Sequence, residues 1–142
     1  MALDGGGGGG GPVGIANSFT GTAETLEIVG DHCMAYSGIQ AIGGAGQDVP
    51  STLLEFTTGN YYVDIKLQAT RGYPSNIGHD YLWIVYLNGT AVYEFFDGNG
   101  DFNENPIHLV IPAYTEVKVT TQNSTSGADN NVGVAIAGRI YR

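Results

Sequence analysis

Basic residues, cysteine and long apolar runs are all scarce in this chain of 142 residues. Lysine and arginine together number 5 against 14 acidic residues, so the formal net charge is −9. A protein that binds nucleic acid needs a basic surface to displace counterions from the phosphates. The charge balance therefore argues against nucleic acid and against an anionic membrane surface as partners. Charged residues make up only 13% of the chain, about half the usual share.

Cys33 is the only cysteine, so no internal disulfide can form. It lies in a segment that alternates like a strand, where His32 and Cys33 point to opposite faces. We therefore expect Cys33 to be a buried apolar residue and not half of a catalytic Cys–His pair. No apolar run approaches the ~18 residues of a membrane span. We expect no Sec-type signal peptide either, because the first residues lack its basic and apolar stretches.

Glycine is abundant, and it opens the chain as an unbroken run from Gly5 to Gly11 that Pro12 closes. Such a run has no side chains to bury and cannot specify a helix or strand by itself. We therefore divide the chain into a glycine-rich arm, residues 1–17, and a single β-sandwich domain, residues 18–142. The residues of the arm that we expect to act in assembly are Gly5, Gly8, Gly11 and Pro12.

Nine segments have the pattern of β-strands, and none has the period of a helix. In the clearest of them, Tyr61–Thr70, apolar and polar residues alternate strictly, which indicates one buried and one wet face. The nine predicted strands are Glu24–Val29, Asp31–Ile39, Thr52–Thr57, Tyr61–Thr70, Tyr81–Leu87, Thr90–Phe96, Ile107–Ile111, Thr115–Thr121 and Asn131–Tyr141.

Short strands about ten residues apart, with no helix between them, predict an all-β fold with an antiparallel two-sheet sandwich. A jelly roll of eight or nine strands fits the length best. Asn88-Gly89 predicts a two-residue hairpin, because both positions favour positive φ. The last strand is predicted to be central in its sheet.

Two features predict contact with another subunit. Tyr81–Leu87 is too apolar for a strand with one wet face. In Asn131–Arg142, the small residues Gly133, Ala135, Ala137 and Gly138 leave one face nearly bare, which permits close approach by another sheet, subunit or loop. We expect a homotrimer with one of these surfaces near its threefold axis.

The segment Asp97–Asn105 is the most site-like part of the sequence. Asp97, Asn99, Asp101 and Asn103 stand at the first four ligand offsets of a calcium-binding loop. Phe102 occupies the position where that loop needs glycine, and His108 occupies the position of the bidentate glutamate. We therefore expect an ordinary turn that holds no ion.

No catalytic or cofactor signature is present. Three histidines are spread along the chain without metal-ligand spacing, and no nucleophile elbow accompanies the serines. The glycine run lacks the lysine and the following helix of a phosphate-binding loop. We expect no enzymatic activity, no cofactor and no metal.

Aromatic residues crowd the middle of the chain, and most of them are expected to fill the core. Tyr73 and Tyr81, which bracket the segment Arg71–Asp80, are expected to be exposed. Together with Arg71 they form a possible contact loop, since exposed tyrosines stack on sugars or anchor protein interfaces.

The arm Met1–Asn17, the compact β body, the low charge and the missing catalytic signature together resemble small virion proteins of tailed bacteriophages. These are decoration or cement proteins bound outside a capsid shell, many of them trimeric, and related head-fibre or spike domains. The resemblance covers the whole chain and includes no short motif. It implies the major capsid protein and neighbouring copies of this chain as partners, synthesis in the host cytoplasm and a place in the virion.

The body also resembles the trimeric jelly rolls of the tumour necrosis factor and complement C1q type. Two functional hypotheses follow. The first is a viral structural protein that decorates or cements a capsid shell. The alternative is a carbohydrate- or receptor-binding module that uses the loops Arg71–Asp80 and Gln122–Asn130. The two hypotheses differ in their need for the arm, since only the structural protein requires it.

Overall fold

The computed structural model describes residues 26–42, 50–71, 80–97, 106–123 and 130–142. Within these ranges the chain forms ten β-strands and no helix. The strands are β1 (Glu27–Val29), β2 (His32–Tyr36), β3 (Gln40–Ile42), β4 (Ser51–Thr57), β5 (Tyr62–Arg71), β6 (Tyr81–Leu87), β7 (Thr90–Asp97), β8 (Ile107–Ile111), β9 (Glu116–Asn123) and β10 (Asn130–Tyr141).

The strands form two antiparallel sheets, as the sequence predicts. A six-stranded sheet has the order β1-β2-β10-β5-β8, with β3 also paired to β10, and a four-stranded sheet has the order β4-β9-β6-β7. Without β1 and β3, eight strands remain. Of these, β2 pairs with β10, β4 with β9, β5 with β8 and β6 with β7. A long hairpin folded over itself in this way is a jelly roll.

The core lies between the sheets and follows the alternation of the strands. In β5, Val63, Ile65, Leu67 and Ala69 are buried, while Lys66 on the opposite face is exposed. Trp83 is fully buried and stacks on Phe95 of the neighbouring strand, with 5.8 Å between the ring centroids. The period of two in the sequence therefore locates the core correctly.

The predicted strand Asp31–Ile39 ends early in the structure, since β2 stops at Tyr36, and the short strand β3 follows beyond the predicted bounds. Ser37 ends β2 because its backbone N–H bonds to the Val134 carbonyl and its hydroxyl accepts a hydrogen bond of 2.9 Å from the Val134 N–H. Gly38 follows with φ of 68° and turns the chain. After this turn β3 pairs with β10 as well, and this unpredicted strand brings the number of strands in the described residues to ten instead of eight or nine.

The predicted hairpin at Asn88-Gly89 is confirmed, with φ of 49° and 78° at the two positions. It joins β6 to β7 and is tied to the start of β9, since the Asn88 side-chain oxygen accepts a hydrogen bond of 2.9 Å from the Glu116 N–H. In β6, Tyr81, Trp83 and Val85 face the core. The other face of β6 is only partly covered within one chain.

The last strand is central, as predicted, because β10 lies between β2 and β5. Gly138 does not belong to its bare face, which corrects the sequence interpretation. Gly138 lies on the same side of β10 as the buried Ile136 and Ile140, which face the core. A Cβ atom there would clash with the Asp64 carbonyl and lie 2.7 Å from the Ile65 Cα. Glycine is required at this position by close approach of β5.

Candidate assembly surfaces

The outer face of the six-stranded sheet has a floor of small residues along β10. Gly133, Ala135 and Ala137 point away from the core. We call this surface the small-residue face. It is flanked by the outward side chains of β2 on one side and of β5 on the other, since Tyr36 and Gln68 both pair with Ala135.

The loop that follows β2 lies on one end of the small-residue face. A Cβ atom on Gly133 would be 2.6 Å from the Gly38 carbonyl oxygen and 3.0 Å from the Ile39 side chain. This contact confirms that the small residues allow a close approach, here by a loop of the same chain. Beside the loop remains an apolar hollow of about 200 Å³, lined by Tyr36, Gly38, Ile39, Thr70, Gly133, Val134 and Ala135.

Charged groups lie farther along the same sheet, towards the ends of β5 and β10 where Tyr62 pairs with Tyr141. His108 and Asp64 are hydrogen-bonded, and Arg139 lies 3.7 Å from Asp31. Lys66, which pairs with Ala137, has no ion-pair partner among the described residues.

Exposed apolar side chains are concentrated on the four-stranded sheet's edge strand, β7, and at the paired ends of β5 and β10. In β7, Val92, Tyr93 and Phe96 are all exposed. At the other position, Tyr62 and Tyr141 lie side by side and both are more than half exposed. Exposed apolar side chains grouped in this way mark surfaces that bind other proteins.

Tyr81 was predicted to be exposed, and this prediction is wrong. Its side chain is only 1% exposed, because β6 begins at this residue and its alternation turns Tyr81 towards the core with Trp83. Arg71 ends β5, and Tyr73 lies outside the described residues. The contact loop as a whole remains a prediction.

The strand residues that flank the two predicted binding loops are nevertheless paired with one another. Arg71 is paired with Val132 in one sheet, and Tyr81 is paired with Asn123 in the other. The segments 72–80 and 124–129 therefore begin and end at adjacent strand positions. The use of these two loops as one binding site stays a prediction, because residues 72–79 and 124–129 lie outside the described ranges.

The other predicted site residues fall outside the described ranges. Asp97 ends β7, while Asn99, Asp101 and Asn103 lie in the undescribed segment 98–105, so the expectation of an ion-free turn stays a prediction. Gly5, Gly8, Gly11 and Pro12 of the arm also lie outside. Among the described residues, no group of three or more His, Cys, Asp and Glu side chains is placed to hold a metal ion.

Cys33 and His32 diverge, as predicted from their adjacent positions. Cys33 is buried in the core and His32 is exposed on the outer face, where its ring nitrogen lies 3.3 Å from the Asp31 carboxylate. Burial raises the pKa of the Cys33 thiol, and the negative charge of Asp64 raises it further. The two side chains form no catalytic pair.

A polar concavity of about 310 Å³ occupies the outer face of the four-stranded sheet, a site that strand patterns alone could not reveal. Thr120 forms part of its floor, and the Thr120 hydroxyl is buried without a hydrogen-bond partner. The concavity is lined by Pro50, Thr52, Tyr86, Gly89, Glu116, Lys118 and Thr120.

The described part of the chain contains no helix that is long and apolar enough to cross a membrane.

Comparison with solved structures gives likenesses of fold. No family model matches the chain, and no curated protein matches it. A solved structure, the VP2 subviral particle of infectious bursal disease virus, aligns with a TM-score of 0.45 and 17% sequence identity over 76% of this chain. The chain spans 32% of the length of that protein.

Proposed function

We propose that this protein is a structural component of a virus particle, which decorates or cements a capsid shell of the tailed-bacteriophage kind. It has no chemistry of its own and binds no cofactor. Its partners are the major capsid protein and neighbouring copies of the chain, assembled as a homotrimer. It is made in the host cytoplasm and resides in the virion.

The observation that carries this proposal is the jelly roll with apolar surface left uncovered on both sheets. Jelly rolls recur in viral capsid domains and in lectins. Here the small-residue face, the adjacent Tyr62 and Tyr141, and the β7 edge are all accessible in a single chain. A protein that functions alone gains nothing from such surface, whereas an assembling subunit buries it.

Co-assembly tests the proposal. The full chain is expressed together with the shell protein encoded by a neighbouring gene, and the mixture is separated on a density gradient. We expect the chain to sediment with assembled shells. Shells that assemble while the chain stays at the top of the gradient would contradict the proposal.

A second candidate function is binding of a carbohydrate, and the polar concavity favours it. Tyr86 supplies an aromatic ring, while Glu116 and Lys118 supply an acceptor and a donor. Thr120, only 6% exposed, has a buried hydroxyl that lacks a partner, and a sugar hydroxyl that reached it would satisfy it. A neutral polyhydroxylated ligand suits this set better than an ion, because the negative charge of Glu116 and the positive charge of Lys118 offset each other.

Titration with a panel of neutral monosaccharides, followed by amide NMR shifts, tests this candidate. Thr120→Val should abolish saturable shifts around the concavity. Thr57→Val is the matched control, because Thr57 is an exposed threonine of β4 outside the concavity. Absence of saturable shifts with every sugar would eliminate this carbohydrate site.

A further inference from the structure

The apolar hollow on the small-residue face and the β7 edge lie on different sheets, so one chain cannot bring them together. The hollow is concave, and its walls are almost entirely apolar. Among the described strands, β7 is at the edge of its sheet and pairs with β6 alone. A concave apolar site and a projecting apolar side chain are the two halves of a head-to-tail contact between copies.

Phe96 is the projecting side chain with the geometry to fill the hollow. It is 59% exposed, although it is one of the largest apolar residues of the chain. It pairs with Leu82 of β6 on the outer face of the four-stranded sheet. A phenylalanine that leaves water for a preformed apolar pocket stabilises a complex by burial of its whole ring.

The two sites also lie at the same end of the sandwich. Phe96 is one residue before the end of β7, at the end where β6 begins. Ala135 of the hollow pairs with Gln68, close to the end of β5 at Arg71. Rotation about an axis along the sandwich keeps each site at its own height, so only surfaces at equal height can meet in a closed ring.

Charge is complementary in the same register. Glu94 lies two residues before Phe96 on the same face, and Lys66 pairs with Ala137, two residues along β10 from Ala135 at the edge of the hollow. Both offsets run away from the shared end and span roughly 6.6–6.8 Å along a strand. Neither Glu94 nor Lys66 has an ion-pair partner within the described parts of the chain.

We propose that Phe96 of one copy inserts into the hollow at Ala135 of the next copy, with Glu94 of the first facing Lys66 of the second. The contact is heterologous, and repetition around an axis closes a ring. This inference rests on the proposed function, because it specifies how the assembling subunits join. The occupant of the hollow is therefore a second copy of this chain.

Light scattering on the full chain at micromolar concentration gives the first test. The unmodified chain should be a trimer. Phe96→Ser removes the projecting ring and Ala135→Leu fills the hollow, so each should weaken association ~10-fold or more. Tyr114→Ser is the control, because Tyr114 is an exposed aromatic residue in the turn before β9 and lies outside both surfaces.

Mixing distinguishes the head-to-tail contact from its alternatives. Phe96→Ser retains an intact hollow and Ala135→Leu retains an intact Phe96, so the mixed variants should form pairs that neither forms alone. Pairing of β7 with β7 would instead leave Ala135→Leu fully associated. A monomeric unmodified chain, or an Ala135→Leu chain that associates normally, would overturn the inference.

Charge exchange gives an independent readout. Glu94→Lys and Lys66→Glu should each weaken the trimer, and the double exchange should restore it. Failure of rescue would refute the charge register. If the Phe96→Ser chain is monomeric but still sediments with shells, only the contact between copies has been lost and the proposed function stands. If the unmodified chain forms the trimer but does not sediment with shells, the proposed function is contradicted and the contact between copies stands.

Discussion

Two buried threonine hydroxyls have opposite environments. Thr58 donates a hydrogen bond of 2.8 Å to the Pro112 carbonyl and accepts one of 3.0 Å from the Thr115 N–H. Thr121, equally buried, has no partner for its hydroxyl. We predict that Thr121→Val raises the free energy of unfolding by about 1 kcal/mol, because it removes an unsatisfied polar group.

Thr58→Val is the matched comparison, and it should lower the free energy of unfolding by about 1–3 kcal/mol because it leaves a buried N–H without its acceptor. Urea unfolding of both variants measures the two values. Equal effects of the same sign would show that the Thr121 hydroxyl is satisfied in solution.

Cys33 predicts a pH dependence of stability. Its folded pKa is raised above the ordinary value of 9.0 by burial first and by Asp64 second. Folding therefore favours the protonated thiol, so the stability contribution is complete below pH 9.0 and is lost as the pH rises towards the folded pKa.

The comparison with Cys33→Ala isolates this effect from tyrosine and lysine titration. The free energy of unfolding of the unmodified chain should fall more steeply above pH 9.0 than that of the variant. Parallel curves would contradict the prediction. A disulfide reagent should also react with the native thiol much more slowly than with the unfolded chain.

At the scale of the strands, the local sequence pattern predicted the bounds of a strand correctly where the strand forms regular backbone hydrogen bonds with its neighbours. Tyr81–Leu87 and Ile107–Ile111 are predicted to the residue, because apolar runs bounded by turn residues specify both ends. The early end of β2 at Tyr36 was missed because it depends on Ser37 bonding to Val134, a partner 97 positions away. The inward side of Gly138 follows from the alternation of the buried Val134, Ile136 and Ile140 and was assigned wrongly, whereas the close approach of β5 to Gly138 depends on a long-range contact.

Gly138 gives a prediction about the contact between β10 and β5. Gly138→Ala should lower the free energy of unfolding by about 1–3 kcal/mol, since the backbone of β5 must move to admit a methyl group. Ala137→Ser, one residue along and pointing to solvent, should change it by less than about 0.5 kcal/mol. Thermal unfolding of the two variants measures the difference. Equal midpoints would mean that β5 yields without strain.

The segment Asp97–Asn105 connects β7 to β8, and we predict that it binds no calcium. A calcium site needs about 6–8 oxygen ligands, and this sequence has Phe102 and His108 where a calcium loop has glycine and glutamate. Titration calorimetry with millimolar calcium should show no saturable heat. A rise of several degrees in the thermal midpoint, abolished by Asp101→Ala, would contradict this.

At the scale of the whole molecule, the sequence predicted the small-residue face but not the hollow within it. Alternation along β10 is visible in the residues Gly133, Ala135 and Ala137. The hollow exists because the loop at Gly38 and Ile39 lies over Gly133, and no local pattern specifies where a loop comes to rest. The location of the hollow and of Phe96 towards the same end of the sandwich likewise depends on how strands of the two sheets are paired.

The glycine arm supplies the last prediction. A run of seven glycines, Gly5–Gly11, loses about 1–2 kcal/mol of conformational entropy per residue when it is ordered, with no side-chain burial in return. Only backbone hydrogen bonds to a neighbour, or entry into a crevice too narrow for side chains, could offset that cost. Deletion of Met1–Gly11 should therefore leave the thermal midpoint of the domain unchanged and weaken its incorporation into shells. A control chain in which Gly5–Gly11 is replaced by serines keeps the length and separates the need for a linker from the need for bare backbone. Undiminished co-sedimentation of the deleted chain with shells would show that the sandwich alone makes the contacts.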